Sequence, residues 1–358
     1  MVRLIPFILL LQWIVLSSNG QSTDSLISLA RMAKPDTTKV RLLNQIALAI
    51  RETDSNIALR YAEEAKNLAD SLKDRHNLGV ILTNIGWIYY RKGIYSKALE
   101  HTTNAMSINK VENNKSEIAA CLNTIGAIQF EQRKFVEAIS SFKDGYRVAK
   151  SVNHRVNMSR CLNNIAFCFL QLKKYDSASF YVNRSVNEHV NDKFRLAFSY
   201  RILGDIFFEE GKYTDALTSY NTCLESATEQ NNNFLKASTL YRIGKTFLKL
   251  RNTDKALQVL NQNLFLSRRF GFKSEQETTL LLMSEAFAMR KDFANAYEFQ
   301  NRYLALHDSL HDQRGGEQIN LLETQYKLDL KNAQIDLLTK DTQYKESEIQ
   351  TQRIGIYV

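Results

Sequence analysis

Two histidines four residues apart, His307 and His311 in LHDSLHDQ, would share one face of a helix, with Asp308 and Asp312 beside them. That spacing can seat a metal ion. No glutamate follows the first histidine and no further ligand stands nearby, so a solvated helical surface is the better reading. Four cysteines, Cys121, Cys161, Cys168 and Cys223, are the other candidates for chemistry. None belongs to a CxxC pair, which excludes a redox or zinc motif of that type. They fall at small buried positions of the repeat described below and read as packed free thiols, although an exported chain would permit bridges. The remaining histidines, His76, His101, His154 and His189, stand apart from one another. There is no glycine-rich phosphate loop, nucleophile elbow or triad spacing. The chain reads as a non-enzyme with no cofactor and no metal.

What organises it is a repeat. The stretch Asn84–Ala105, NIGWIYYRKGIYSKALEHTTNA, is copied along most of the chain. With Gly86 as position zero, the equivalents are Gly126, Ala166, Gly204, Gly244 and Ser284, in steps of 40, 40, 38, 40 and 40 residues. Twelve residues after each stands Ala98, Ala138, Ala178, Ala216, Ala256 or Ala296. One residue before each is apolar, and position plus nine is aromatic in all but one copy (Thr253). A period of this size signals stacked supersecondary units.

Small residues at zero and plus twelve fall on successive helices, where larger side chains would hold the backbones apart. Pairs such as Lys92-Gly93 and Gly211-Lys212 mark the turn between them. Each unit is an antiparallel hairpin that buries its apolar face only by stacking on its neighbours. Residues 36–70 form a worn first copy, in which Ala58 and Ala65 repeat the interval from Ala98 to Ala105. Asn113-Asn114, Asn153-His154, Asn191-Asp192 and Asn231-Asn232-Asn233 supply turns and helix starts between copies. The fold class is all-α: a solenoid of about seven helical hairpins followed by one long C-terminal helix. Proline only at positions 6 and 35 agrees, and a solenoid core can grow along one axis without the size ceiling of a compact domain.

The ends differ from the array. Residues 1–20, with Arg3, the apolar run Leu4–Leu16 and small residues Ser18 and Gly20, read as a secretory signal cleaved before Gln21. The alternative is an uncleaved anchor, for which the apolar run is short. The repeat array is expected over 21–315, ending at Gly315-Gly316. Residues 316–353 read as a separate charged helix, in which Ile319, Leu322 and Tyr326, then Leu330, Ala333 and Leu337, follow a three-four spacing with a stutter between them. That seam could pair in a coiled coil and make a homodimer through 317–353, although Lys340, Tyr344 and Ser347 weaken its second half. Residues 354–358 turn apolar and read as the onset of a membrane span. The net charge of +9 is spread through the repeats, so an acidic partner suits the chain; the export signal and the lack of a binding motif argue against nucleic acid.

The small/aromatic frame resembles the tetratricopeptide repeat. The family period is about 34 residues, so these copies carry about one extra turn per helix, and the family's proline after the second helix is missing. The resemblance implies that the first helix of each pair lines a concave face that holds a protein or peptide segment. Its ligand-facing columns, at minus three, minus two, plus one and plus five, give Asn84, Trp87, Arg91, Asn123, Asn163, Asn164, Phe167, Arg201, Tyr241, Arg242, Lys245 and Lys249 as candidate binding residues. The amides suit a peptide backbone, the aromatics suit anchors, and the cations, read as solvated, suit an acidic end. The signal, the long repeats, Asp308-Ser309-Leu310, LETQY at 322–326 and the charged helix together resemble the extracytoplasmic sensor region of tetratricopeptide-type sensor histidine kinases and transcription regulators of Bacteroidetes-like bacteria. That implies a periplasmic location, or the outer face of the inner membrane. It also implies a sensor and interaction role in a two-component system, with kinase parts and a span outside this chain. The alternative is a freestanding periplasmic scaffold that assembles envelope proteins.

Overall fold

A computed structural model describes residues 23–51, 54–188 and 193–356, which are helical almost throughout. The expected export signal and the Asn191-Asp192 turn lie outside the described residues. Helix α1 (Thr23–Met32) precedes seven antiparallel pairs. These are α2 (Thr37–Ile50) with α3 (Ser55–Ser71), α4 (Arg75–Arg91) with α5 (Tyr95–Val111), and α6 (Lys115–Glu131) with α7 (Phe135–Ser151). There follow α8 (Arg155–Gln171) with α9 (Tyr175–Glu188), α10 (Lys193–Glu209) with α11 (Tyr213–Glu229), and α12 (Asn233–Lys249) with α13 (Thr253–Phe270). The last pair is α14 (Lys273–Met289) with α15 (Phe293–Ile356). Helices of 17 residues joined by three-residue turns account for the 40-residue period and for the extra turn per helix.

From α3 onward the described turns share one construction. After α4, Gly93 takes φ 74°, its N–H bonds the Tyr90 carbonyl at 2.9 Å, and the Ile94 N–H bonds the Tyr89 carbonyl at 3.0 Å. This is the left-handed helix stop that satisfies the last open carbonyls. Asn113, Asn153 and Asn231 hold the same conformation between repeats, at φ 50–52°. The residues after them start the next helix: the side chains of Asn114, His154 and Asn232 accept first-turn N–H groups. The polar clusters are thus paired stop and start signals.

Within a pair, position zero meets position plus sixteen across the hairpin. A Cβ added to Gly86 would lie 2.3 Å from Thr102 Oγ1, at Gly126 2.7 Å from the Phe142 ring, and at Gly204 2.4 Å from the Tyr220 ring. Where zero is Ala166, the facing residue is the smaller Val182, in the same core cluster. The plus-twelve alanines from Ala98 to Ala256 are fully buried, and Ala296 is 9% exposed. The four cysteines are buried and unpaired, and burial pushes the thiols of Cys121, Cys161 and Cys168 up to about 12. They are packed thiols, not thiolates.

First helices touch the first helices of adjacent repeats from α2 to α14, whereas no such contact joins successive second helices of the described pairs. The first helices therefore form the inner, concave layer. The curl is tight enough that the Arg91 guanidinium of α4 stacks over the Phe234 ring of α12 at 3.8 Å.

Gly315-Gly316 lies inside a helix: α15 runs unbroken from Phe293 to Ile356, so the last hairpin and the long C-terminal helix are one element. Glycine costs a helix about 1 kcal/mol per residue but, unlike proline, removes no hydrogen bond. Past the glycines α15 packs against α5, with Leu321 buried beside Ala98 and Ile128. Ile319, Leu322, Tyr326 and Leu330 of the expected seam are exposed.

Candidate functional site

Six of the expected residues line two cavities, Asn84, Trp87 and Asn123 in one and Tyr241, Lys245 and Lys249 in the other; Arg91, Asn163, Asn164, Phe167, Arg201 and Arg242 line neither. One, of about 200 Å³, is bounded by Asn44, Arg51, Thr83, Asn84, Trp87, Glu117, Asn123, Thr124 and Arg160, among others, on α2, α4, α6 and α8. A second, of about 590 Å³, lies between α12 and α14, where Tyr241, Lys245, Lys249 and Arg251 rim a floor of Leu248, Leu281, Leu282 and Met289, with Glu285 as its acid. The two cavities differ in chemistry: the first offers amides and an aromatic ring among charges, the second an apolar floor with three cations.

The amides are not free in the way the sequence suggests. Asn84 is 3% exposed; its Nδ2 donates to Asn44 Oδ1 at 3.1 Å, and its Oδ1 accepts from Arg51 Nη1 at 2.9 Å. Asn164 Nδ2 donates to Asn123 Oδ1 at 2.9 Å, and Asn163 Oδ1 accepts from Ser199 Oγ at 2.9 Å. These asparagines tie α2 to α4, α6 to α8 and α8 to α10. A buried amide must find partners, and here the neighbouring repeat supplies them.

Trp87 is half-buried, its ring centroid 5.9 Å from the guanidinium carbons of both Arg51 and Arg160 and 5.1 Å from the Tyr90 ring. Phe167 stacks on Phe130 at 5.0 Å and lies 5.8 Å from the Arg201 guanidinium. Burial raises the Glu117 carboxyl above its ordinary value, against the pull of a Thr83 hydrogen bond and of Arg51, Arg160 and His76.

Arg201 and Arg242 are not the solvated cations the sequence reading assumes. Their side chains are 15% and 13% exposed, and both bind Asp205, at 3.4 and 2.6 Å. Tyr220 Oη donates to the same carboxylate at 2.7 Å. Burial opposes the Arg242 charge, but Asp205 and neighbouring groups hold its pKa above the ordinary value. Burial and Arg242 lower that of Arg201, whose Nε is buried with no hydrogen-bond partner among the described residues. Glu275, its carboxyl raised by burial, feels Arg91, Arg242 and Arg201 from α14. Lys245 lies 4.4 Å over the Phe208 ring, and Lys249 is exposed at the cavity rim.

The sequence reading missed Arg51, Glu117, Arg160 and Glu275. Arg51 occupies plus five of the worn first repeat, the column of Arg91. Glu117 and Glu275 both stand at minus nine and Arg160 at minus six. Positions minus nine, minus six, minus two, plus one and plus five share one helix face. The extra turn in each first helix carries that face past the columns of a shorter repeat. His307 is likewise not simply a solvated residue: its Nδ1 lies 2.6 Å from Glu277 Oε1 and bridges α15 to α14. The side chain of His311 lies outside the described residues, and no group of three or more metal-capable side chains occurs among those described.

A superhelix of hairpins with its first helices around an inner channel defines the class: an all-α helical-repeat solenoid. The tetratricopeptide repeat model matches residues 195–264, the stretch from α10 into α13, and the other hairpins resemble that repeat in geometry. The fold is shared with solved structures of low sequence identity. Aspartyl phosphate phosphatase F from Bacillus subtilis is 16% identical, covering 83% of this chain and 78% of that one, with a TM-score of 0.58. The apo form of RapI is 14% identical over 76% of this chain and 99% of that one, TM-score 0.56. The Rap conjugation gene regulator of plasmid pLS20, solved with the Phr* peptide, is 11% identical over 81% and 95%, TM-score 0.54. No curated protein sequence matches the chain.

Proposed function

We propose that the concave channel binds a segment of another protein carrying apolar and acidic side chains, and that this chain is the sensory and interaction part of an exported signalling system. The observation that carries the first part is the α12–α14 cavity, whose apolar floor is rimmed by Lys245, Lys249 and Arg251 against Glu285 alone. An apolar side chain would enter the floor while a carboxylate meets the lysines. The structure of the pLS20 regulator with a peptide supports peptides as ligands of this fold. The second part rests on the leader-like residues 1–20 and on the resemblance to periplasmic sensors. Under it the protein works in the periplasm or at the outer face of the inner membrane, paired through the seam of residues 317–353.

A random-peptide display selection tests the channel. The wild type should enrich sequences with an acidic residue next to a large apolar one, with weaker capture at high salt. Lys245→Glu with Lys249→Glu should lose that enrichment while keeping its helicity, because Lys249 is exposed and Lys245 partly exposed at the cavity rim. Equal enrichment by the double variant at low and high salt would remove this cavity as the binding site.

A further inference from the structure

Beyond Gly315-Gly316, α15 leaves its own repeat and lies against α5 and α6. Three contacts hold it there. Leu321 is 2% exposed among Ala98 and Ile128, Glu317 Oε1 accepts the Ser96 N–H at 2.7 Å, and Gln132 Nε2 donates to Gln325 Oε1 at 3.4 Å. The Glu317 bond falls where α5 lacks one. The N-cap residue Ile94 has no side-chain acceptor, so the Ser96 amide is a first-turn donor its own chain start leaves open. A carboxylate at that end also meets the positive pole of the helix.

The same contact reaches the channel. Tyr90 packs against the Leu321 cluster, with ring centroids 5.9 Å from Tyr95 and 5.1 Å from Trp87. Trp87 is the aromatic wall of the first cavity. Ile319, Leu322 and Tyr326, on the other side of the helix, stay exposed, so docking uses one defined face.

We infer that residues 315–356 form a releasable strap whose docking on α5 and α6 is felt at Trp87 through Tyr90. Gly315 and Gly316 are its hinge. A Cβ added at either would meet nothing within 4 Å, and two adjacent glycines are the weakest pair of residues a helix without proline can contain. Release would uncap α5 and loosen the packing of Tyr90 on Trp87. The channel then has two states, which a ligand in the channel or a partner of the strap can bias.

The test uses no ligand and is therefore independent of the peptide reading. Ser96 is the second residue of α5; Val136 and Thr214 hold that place in α7 and α11, whose N-caps Lys134 and Lys212 also make no side-chain bond. In the wild type, amide exchange at Ser96, corrected for intrinsic rates, should be about tenfold slower than at Val136 and Thr214, the scale of one hydrogen bond to a charged acceptor. Glu317→Ala and Leu321→Asp should each remove that protection. With Trp13 replaced by Phe, Trp87 is the remaining tryptophan, and Leu321→Asp should increase its quenching by acrylamide. Leu322→Asp, one residue away on the exposed face, should leave both readings at wild-type values. Ser96 exchanging as fast as Val136 in the wild type would overturn the strap. Equal effects of the Leu321 and Leu322 substitutions, or unchanged Trp87 quenching in Leu321→Asp, would overturn its link to the channel.

Discussion

Gly204→Ala tests the hairpin contact on which the array depends. The added Cβ would sit 2.4 Å from Tyr220 Cε1 and 2.5 Å from Cδ1. Carbon pairs rest at about 3.5–4.0 Å, so the ring must retreat by roughly 1 Å or tilt. It has little room, because Tyr220 is 1% exposed and its Oη is held by Asp205 at 2.7 Å. Overpacking of this kind costs about 1–3 kcal/mol. A tilt that breaks the Tyr220 bond to a charged acceptor adds about 1.5–3 kcal/mol. Alanine recovers about 1 kcal/mol of helix propensity over glycine. The net expectation is a loss of about 2 kcal/mol, read as a lower urea midpoint at unchanged slope. Pairing it with Tyr220→Val copies the Ala166 and Val182 arrangement already present in the array. The double variant should therefore show a favourable coupling of about 1 kcal/mol in a double-mutant cycle. A single variant stabilised by the propensity term, or a strictly additive cycle, would refute the close approach.

Two further outcomes follow from the channel wall. Asp205→Ala leaves Arg201, Arg242 and Tyr220 without their shared acceptor and should cost about 3 kcal/mol; unfolding at the wild-type urea midpoint would show that the cluster is not structural. For Glu275, burial raises the carboxyl above 4.5, against its own backbone hydrogen bond and the pull of Arg91, Arg242 and Arg201. The folded chain thus holds this proton more tightly than the unfolded one. The group's contribution to folding is fully present below the ordinary carboxylate range and is lost as pH rises through its raised value. Glu275→Gln should melt higher than the wild type at neutral pH, with the gap closing below about pH 4; a gap that widens in acid would reverse the sign of this argument.

What the sequence by itself determined is the set of local, repeated contacts. The unbroken alanine column from Ala98 to Ala296 and the small residues from Gly86 to Ser284 report one hairpin geometry copied along the chain. Asn113-Asn114 and Asn231-Asn232 report its stops and starts, because left-handed turns and N-caps depend on a few adjacent residues. The ligand-facing columns came from the resemblance to tetratricopeptide repeats, and six of their residues line the two cavities. Only the tertiary structure decided what those columns do to one another. Asn84 and Asn123 bond asparagines 40 and 41 residues away, and Arg242 reaches Asp205 across 37, so side chains that look available on one helix are already engaged by the next. Gly315-Gly316 reads as a boundary by composition, yet the helix continues through it and is held by Leu321 and Glu317 against residues some 220 positions earlier. Such contacts depend on how far each repeat rotates relative to the last, a small angle summed over the array, and no single repeat carries the sum.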